Sequence, residues 1–231
     1  MVALFPISLI RSFESIVCII AHMANADTRT QILDSAEALF AERGYRGTSV
    51  RAITDGAGAN LAAVGYHFGS KAELWAAVAH RVIEPINAAQ NAGLDRLLAQ
   101  SSNPRVPELV EAFAGPLFDV TPKGDKGGAR TSRLVMKILS DPADEARSWT
   151  GPTQDRVRDR YLAAFKRALP GISAQELGFR LRGLLAVTAV DRIDIDTQRH
   201  STGDFPAQDD AVRRFAITFL AAAMSAPPTR S

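Results

Sequence analysis

The organisation of this chain is decided by residues 45–71, which read YRGTSVRAITDGAGANLAAVGYHFGSK. Thr48 or Ser49 opens a first short helix, because a hydroxyl can accept one of the unpaired backbone N–H groups at a helix start. Gly56 and Gly58 lie where the chain has to turn sharply and where a side chain would obstruct two closely packed helices. The segment therefore predicts two short helices joined by a glycine turn.

The second of these helices restarts at Asn60, whose side chain is a good N-cap. Leu61 and Val64 are three residues apart, so their spacing predicts that both face inward. The other positions can then face a groove of DNA: Ala62, Ala63, Gly65, Tyr66 and His67. This arrangement predicts a helix-turn-helix in which Asn60 hydrogen-bonds a base, while Ala62, Ala63 and Gly65 allow close approach to thymine methyl groups.

Three linked segments extend this pattern: ILDSAEALF at 32–40, GYRGTSV at 44–50 and YHFGSKAEL at 66–74. In this order they resemble the amino-terminal domain of the TetR family of transcriptional regulators, over residues 28 to about 83. The resemblance implies an all-α protein, with a three-helix DNA-binding domain joined by a long fourth helix to a larger helical ligand-binding and dimerisation domain. It also implies a homodimeric repressor that binds a palindromic operator in double-stranded DNA and is released by a small-molecule effector of unknown identity.

The same resemblance assigns phosphate or base contacts to individual residues. The contacts fall on Tyr66, His67, Lys71, Thr48 and Ser49, with Arg46 and Arg51 as helpers. The alternatives are that Tyr66 packs under the fourth helix, that His67 is merely exposed and that Thr48 only caps a helix. Because the recognition helix carries no outward Arg, Lys, Gln or Ser in its first turns, specificity is expected to rest partly on DNA shape.

Composition agrees with a helical protein but gives little electrostatic support for DNA binding. The 231 residues are 46% hydrophobic, and few runs alternate strictly between apolar and polar residues. The net charge is only +2, and residues 27–87 hold six Lys and Arg against seven Asp and Glu. Any binding to a polyanion therefore depends on where the charges lie rather than on how many there are.

We expect four parts along the chain: an amino-terminal extension (1–26), the DNA-binding domain (27–73), the effector-binding and dimerisation domain (74–226) and a disordered tail (227–231). The extension is an extra helix or arm, a disordered segment, or the product of a start codon upstream of a natural start at Met23. Its apolar run is interrupted by Arg11 and Glu14 and is too short to span a bilayer, which needs about 20 residues. The single cysteine, Cys18, excludes an internal disulfide, so we expect a cytoplasmic protein with no membrane contact and no cofactor.

Periodicity and helix breakers predict the helices outside residues 45–69 at about 28–43, 70–100, 107–120, 129–140, 142–169, 174–194 and 206–224. Ser70 and Glu73 form a capping box at the start of the fourth helix, and Pro85 is expected to bend it. The glycine-rich loop at 122–128 lacks the closing Lys-Ser/Thr pair of a phosphate-binding loop.

The last two helices are apolar more than half-way round, which predicts burial on two sides. By resemblance, one side pairs with a second copy of the chain in a four-helix interface. The residues expected there are Leu184, Val187, Val190, Val212, Phe215, Phe219 and Ala223. The alternative is that both sides belong to one large core.

Bulky residues of the middle helices are the candidates for lining an effector pocket. They are Phe113, Phe118, Leu134, Met136, Trp149, Tyr161, Phe165 and Phe179. Arg133 and Arg182 are candidates for an acidic ligand or for ion pairs. At each aromatic position, ordinary core packing is the alternative.

Two other classes of function compete with a regulator. An enzyme is disfavoured because the four histidines lack paired spacing and no nucleophile motif or metal-ligand cluster occurs in the sequence. An all-helical adaptor that binds protein instead of DNA is the remaining alternative. It predicts that Tyr66→Ala and Lys71→Ala leave partner binding intact.

Overall fold

The computed structural model describes residues 7–119, 130–131, 133–135, 137–138, 152–201 and 209–229; for 7–24, 152–155, 189–201, 209–210 and 212 it describes the backbone alone. Within these ranges every regular element is a helix, which confirms the predicted all-α fold. The named helices are α1 (Ile7–Gly47), α2 (Val50–Gly56), α3 (Ala62–Phe68), α4 (Lys71–Gln100), α5 (Val106–Asp119), α6 (Pro152–Ala168), α7 (Ala174–Ser201) and α8 (Asp209–Ser225). The described residues between 130 and 138 are helical as well.

The chain divides into two compact units, Met1–Val78 and Ala79–Ser231, and α4 crosses the division. We predicted the border after residue 73. Pro85 lies inside α4 and does not end it, although its missing N–H removes one backbone hydrogen bond from the helix.

Helix α1 is longer than predicted, because it begins at Ile7 and not near Thr28. No glycine or proline occurs between residues 7 and 43, so nothing in this segment stops a helix. Helical geometry is broken at Gly44, whose φ of 71° lies in the left-handed region. The predicted end near Gly44 is therefore confirmed and the predicted start is not.

The first unit has a small core built on aromatic rings. Phe40 and Trp75 are fully buried and meet edge to face, with ring centroids 4.9 Å apart. Tyr45 lies 5.8 Å from Trp75 and 6.3 Å from Phe40, between centroids. Aliphatic and small residues complete the core: Ile32, Leu33, Ala36, Ile53, Val64, Leu74 and Val78.

The core of the second unit lies between α5, α6, α7 and α8, together with Leu94 of α4. Gln90 is buried in this unit. Its side-chain amide donates to the Phe113 carbonyl at 2.7 Å, and its backbone carbonyl accepts from the Tyr161 hydroxyl at 2.8 Å. Burial raises the pKa of Tyr161, so the hydroxyl keeps its proton for this bond. One buried network thus joins α4, α5 and α6.

Residues 226, 227 and 229, near the carboxyl end of the described chain, hydrogen-bond to side chains of α7, whereas a disordered tail was predicted over residues 227–231. The Arg180 guanidinium donates to three backbone carbonyls beyond the last turn of α8 or at its end: Met224 at 2.7 Å, Ala226 at 2.8 Å and Pro227 at 2.9 Å. Glu176 accepts from the same guanidinium at 2.5 Å and from the backbone N–H of Thr229 at 3.2 Å. We call residues 176, 180 and 224–229 the carboxy-terminal clasp.

In the part of the chain that the structure describes, no helix has the length and apolar character needed to cross a membrane.

Candidate nucleic-acid interface

Helix α2 begins with a side-chain cap, as the sequence predicted. The Ser49 hydroxyl accepts a hydrogen bond from the Ala52 N–H at 3.1 Å, and Ser49 itself is exposed. Thr48 behaves differently, because only 2% of it is exposed and its hydroxyl donates to the Gly44 carbonyl at 2.8 Å. The predicted DNA contact of Thr48 is therefore wrong. The residue closes the junction between α1 and α2 instead.

The turn between α2 and α3 has the geometry that its glycines predicted. Gly58 adopts a φ of 61°, which is strained for residues with a side chain. A Cβ on Gly56 would lie 2.6 Å from the Ser35 hydroxyl oxygen, so glycine at this position lets α2 approach α1 with that hydroxyl in place. The Ser35 hydroxyl donates to the Ile53 carbonyl at 2.8 Å, which joins the same two helices.

Helix α3 is capped by Asn60, whose side-chain oxygen accepts from the Ala62 N–H at 3.0 Å. Val64 and Phe68 are buried, so this edge of α3 attaches it to the first unit. Leu61 was expected to share that edge, but it is 55% exposed. Leu61 precedes the first turn of α3, so its side chain lies beyond the end of the buried row that Val64 and Phe68 form. The prediction that Leu61 faces inward is therefore wrong.

The outward edge of α3 is exposed and carries no charge. Ala62, Gly65 and Tyr66 are exposed, and a Cβ on Gly65 would meet nothing within 4 Å. Tyr66 is 76% exposed, so the alternative that it packs under α4 is wrong. Its ring lies edge to face against His67 at 5.0 Å, and His67 is half-buried rather than merely exposed. Ala63 is also half-buried.

Two cations of the first unit, Lys71 and Arg29, lie over aromatic rings. The Lys71 ammonium lies 4.3 Å from the centroid of the Tyr45 ring. Tyr45 is followed in the chain by Arg46, which is exposed. The Arg29 guanidinium lies 4.9 Å from the centroid of Phe68. Such stacking holds a cation in a defined place beside the ring. We had not singled out Arg29, because no local pattern brings residue 29 next to residue 68.

Arg51 and Ser70 each contact a residue three or four positions further along the chain. Arg51 is exposed and pairs with Asp55 at 4.0 Å, in a solvated contact along α2. Ser70 caps α4 by accepting from the Glu73 N–H at 3.1 Å, as one half of the predicted capping box.

The predicted pocket residues lie mostly in the core of the second unit. Phe113, Phe118, Tyr161 and Phe165 belong to its buried cluster, and Leu134 is buried as well. Phe179 is 69% exposed, so its placement in a pocket is wrong. Met136 and Trp149 lie outside the described residues.

Helices α7 and α8 carry an exposed apolar surface. Phe179 and Val187 are exposed on α7, two helical turns apart, while Phe215 and Phe219 are exposed one turn apart on α8. Ala223, one turn further along α8, is exposed too. Leu184 was predicted to meet a partner, but it is buried in the core of its own unit. The side chains of Val190 and Val212 lie outside the described residues.

We refer to the exposed residues Phe179, Val187, Phe215, Phe219 and Ala223, which lie on two helices that contact each other, as the phenylalanine face. Large apolar side chains that are exposed together mark a surface that binds another molecule more often than scattered single residues do. The described residues hold no group of three or more His, Cys, Asp or Glu that could bind a metal ion.

Comparison with known proteins matches both units to one family. The model for bacterial regulatory proteins of the tetR family matches residues 32–78, and the model for the tetracyclin repressor-like C-terminal domain matches residues 111–223. The regulatory protein RaaS of Mycobacterium tuberculosis, an HTH-type transcriptional regulator, is 30% identical over 152 residues, which cover 61% of this chain and 68% of RaaS.

A shorter sequence match and a structural match agree with the matches above. The HTH-type transcriptional repressor KstR2 of Mycobacterium tuberculosis is 50% identical over 89 residues, covering 38% of this chain and 36% of KstR2. The chain thus spans about a third of the length of that relative. The crystal structure of NalD, the secondary repressor of the MexAB-OprM multidrug efflux pump in Pseudomonas aeruginosa, superposes with a TM-score of 0.58 at 18% identity and covers 87% of this chain and 97% of NalD.

A capped, outward-facing second helix after a glycine turn defines a helix-turn-helix regulator. Together with the matches to both units, it identifies the particular group: the chain belongs to the TetR family, which consists of DNA-binding transcriptional regulators.

Proposed function

We propose that this protein is a transcriptional repressor that binds a palindromic operator as a homodimer and leaves it when a small molecule binds the second unit. The observation that carries the proposal is the outward edge of α3: Ala62, Gly65 and Tyr66 are exposed on a helix whose other edge is anchored by buried residues. A helix presented in this way fits the major groove of B-form DNA, which is wide enough to admit it.

Phosphate contacts are proposed for residues beside α3. Tyr66 and His67 come from the helix itself, Ser49 from the start of α2, and Lys71 from the start of α4. Arg46 and Arg51 assist from exposed positions. A few well-placed contacts orient the protein on the duplex, since most hydrogen bonds in such complexes go to the backbone and not to bases.

The homodimer is proposed to form through the phenylalanine face. A second copy presents the same surface, and a two-fold axis satisfies both copies at once. Two first units then address two half-sites whose centres lie about one helical turn, roughly 34 Å, apart on the DNA. Operator palindromy follows from the symmetry of the protein.

The second unit is proposed to hold the effector, among Phe113, Phe118, Leu134, Tyr161 and Phe165. Gln90 and Tyr161 add polar groups within this otherwise apolar region. An effector that binds the DNA-free conformation more tightly shifts the protein away from the operator by its difference in affinity.

The DNA-binding part of the proposal is tested by selecting bound fragments from the organism's own genome with the full chain. Lys71→Ala is the comparison variant, and Lys166→Ala, which changes an exposed lysine of the second unit, is the matched control. We expect discrete fragments to be enriched by the wild type and by Lys166→Ala but not by Lys71→Ala. Absence of any enriched fragment with the wild type contradicts the proposal and favours the adaptor, whereas equal enrichment with all three proteins contradicts only the phosphate contact of Lys71.

A further inference from the structure

Leu61 is an exposed aliphatic residue at the leading end of α3. Its backbone is already helical, with φ −54° and ψ −36°, so its side chain has a defined direction relative to the helix. It is 55% exposed, whereas Val64 and Phe68 of the same helix are buried. Leaving this side chain in water forgoes part of the stabilisation that burial of a leucine provides. A molecule that covers Leu61 recovers that stabilisation.

The surroundings of Leu61 define what kind of group can cover it. Gly65 lies one turn further on the same edge, with open space around its Cα, and Ala62 is the next exposed residue. The Asn60 oxygen is already used in capping the Ala62 N–H. This end of the helix therefore offers an apolar contact at Leu61, and the side-chain oxygen of Asn60 is already occupied as an acceptor.

We infer that Leu61 is a specificity-determining residue that contacts the 5-methyl groups of thymines in the operator. The inference rests on the proposed function, because it requires α3 to lie in the major groove. There, thymine is the base that presents a methyl group, while the other groups exposed on base edges are hydrogen-bond donors and acceptors. An aliphatic side chain gains free energy from covering that methyl and loses it by covering an unpaired polar group.

The expected effect is modest and local. Burial of one methyl-sized group corresponds to about a fourfold change in Kd. The preference therefore falls on one or two base pairs in each half-site, and it is insensitive to salt because no ion is released when a methyl group is covered.

Replacement of single thymines by deoxyuridine tests this contact, because it deletes the methyl and leaves the hydrogen-bonding groups of the base unchanged. The duplex is the fragment enriched from the genome, and binding is measured by fluorescence anisotropy with the full chain. At one or two positions per half-site we expect the wild type to bind deoxyuridine DNA about fourfold more weakly. Leu61→Ala should bind both duplexes with nearly equal affinity, and Leu61→Met should keep most of the preference.

The other outcomes separate the inference from the proposed function. Equal affinity of the wild type for thymine and deoxyuridine at every position overturns the contact while leaving DNA binding intact. A Leu61→Ala variant that weakens but keeps the full preference also overturns it, because Leu61 then acts on folding or on backbone contacts. A wild type that binds no duplex overturns the proposed function itself. Circular dichroism verifies that the variants fold, as expected for a change at an exposed site.

Discussion

Gly56 and Ser35 control how closely α2 approaches α1. The glycine leaves room for the Ser35 hydroxyl, which donates to the Ile53 carbonyl at 2.8 Å. A Cβ at residue 56 would come within 2.6 Å of that oxygen but would lie 3.7 Å from the Cβ of Ser35, which is ordinary contact. The conflict thus involves one oxygen atom.

Gly56→Ala is expected to lower the free energy of unfolding by about 1–2 kcal/mol, because Ser35 must turn away and give up its hydrogen bond. In a Ser35→Ala background the same change should cost nothing. Urea denaturation of the four proteins gives the double-mutant cycle. An equal cost of Gly56→Ala in both backgrounds contradicts the account of this contact.

Local side-chain chemistry was predictable at this scale, and burial was not. Asn60 and Ser70 cap their helices as expected, since a cap depends on residues two or three positions away. The positions of Thr48 and Leu61 depend on where α1 passes. Thr48 donates to the end of α1, and Leu61 extends past the buried row, which no spacing along the chain reveals.

The carboxy-terminal clasp joins the beginning of α7 to the end of α8. The Arg180 guanidinium beside Glu176 holds the pKa of that carboxyl below its ordinary value of 4.5, and the Thr229 N–H acts in the same direction. Because the folded-state pKa is the lower one, this contribution to stability is fully present above pH 4.5 and is lost as the pH falls through the folded-state pKa.

Glu176→Gln is expected to flatten the dependence of Tm on pH below about pH 5, because the amide cannot be protonated there. Above that range the variant should be less stable than the wild type, since the charge-assisted hydrogen bond with Arg180 is weakened. Differential scanning calorimetry at a series of pH values provides the comparison. Parallel Tm curves for the two proteins contradict a stabilising role for the Glu176 carboxylate.

The phenylalanine face belongs to the same two helices. Phe215→Glu combined with Phe219→Glu is expected to weaken the homodimer by at least about a hundredfold, because each subunit then buries a charge in place of an aromatic ring. Sedimentation velocity across a range of protein concentrations measures the loss. The matched control is Lys166→Glu, an exposed change on α6. A double variant that sediments like the wild type places the dimer elsewhere.

The presence of most helices and many of their ends could be predicted from periodicity. Which apolar faces are buried and which are exposed could not. Phe179 and Leu184 show why: both are large and apolar on one helix, yet Phe179 is exposed and Leu184 is buried. The pattern indicates that two sides of α7 are apolar but does not say which side meets α5 and α8 of the same unit. The start of α1 at Ile7 was not predicted, although no glycine or proline interrupts residues 7–43.

For the whole molecule, net charge is a weak guide to function. The chain carries only +2, and no excess of positive charge marks its first unit. What indicates DNA binding is a geometric feature, an anchored helix with an exposed uncharged edge. The affinity then depends on a small number of phosphate contacts, which in turn limits how steeply binding falls with salt.

The central claim is that α3 of each protomer enters the major groove of one duplex. Hydroxyl-radical footprinting of the full chain on a fragment enriched from the genome tests this most directly. We predict two protected patches, related by a two-fold axis and centred about one helical turn apart, that both disappear with Tyr66→Ala. A footprint that Tyr66→Ala leaves unchanged, or complete lack of protection on every enriched fragment, contradicts the claim.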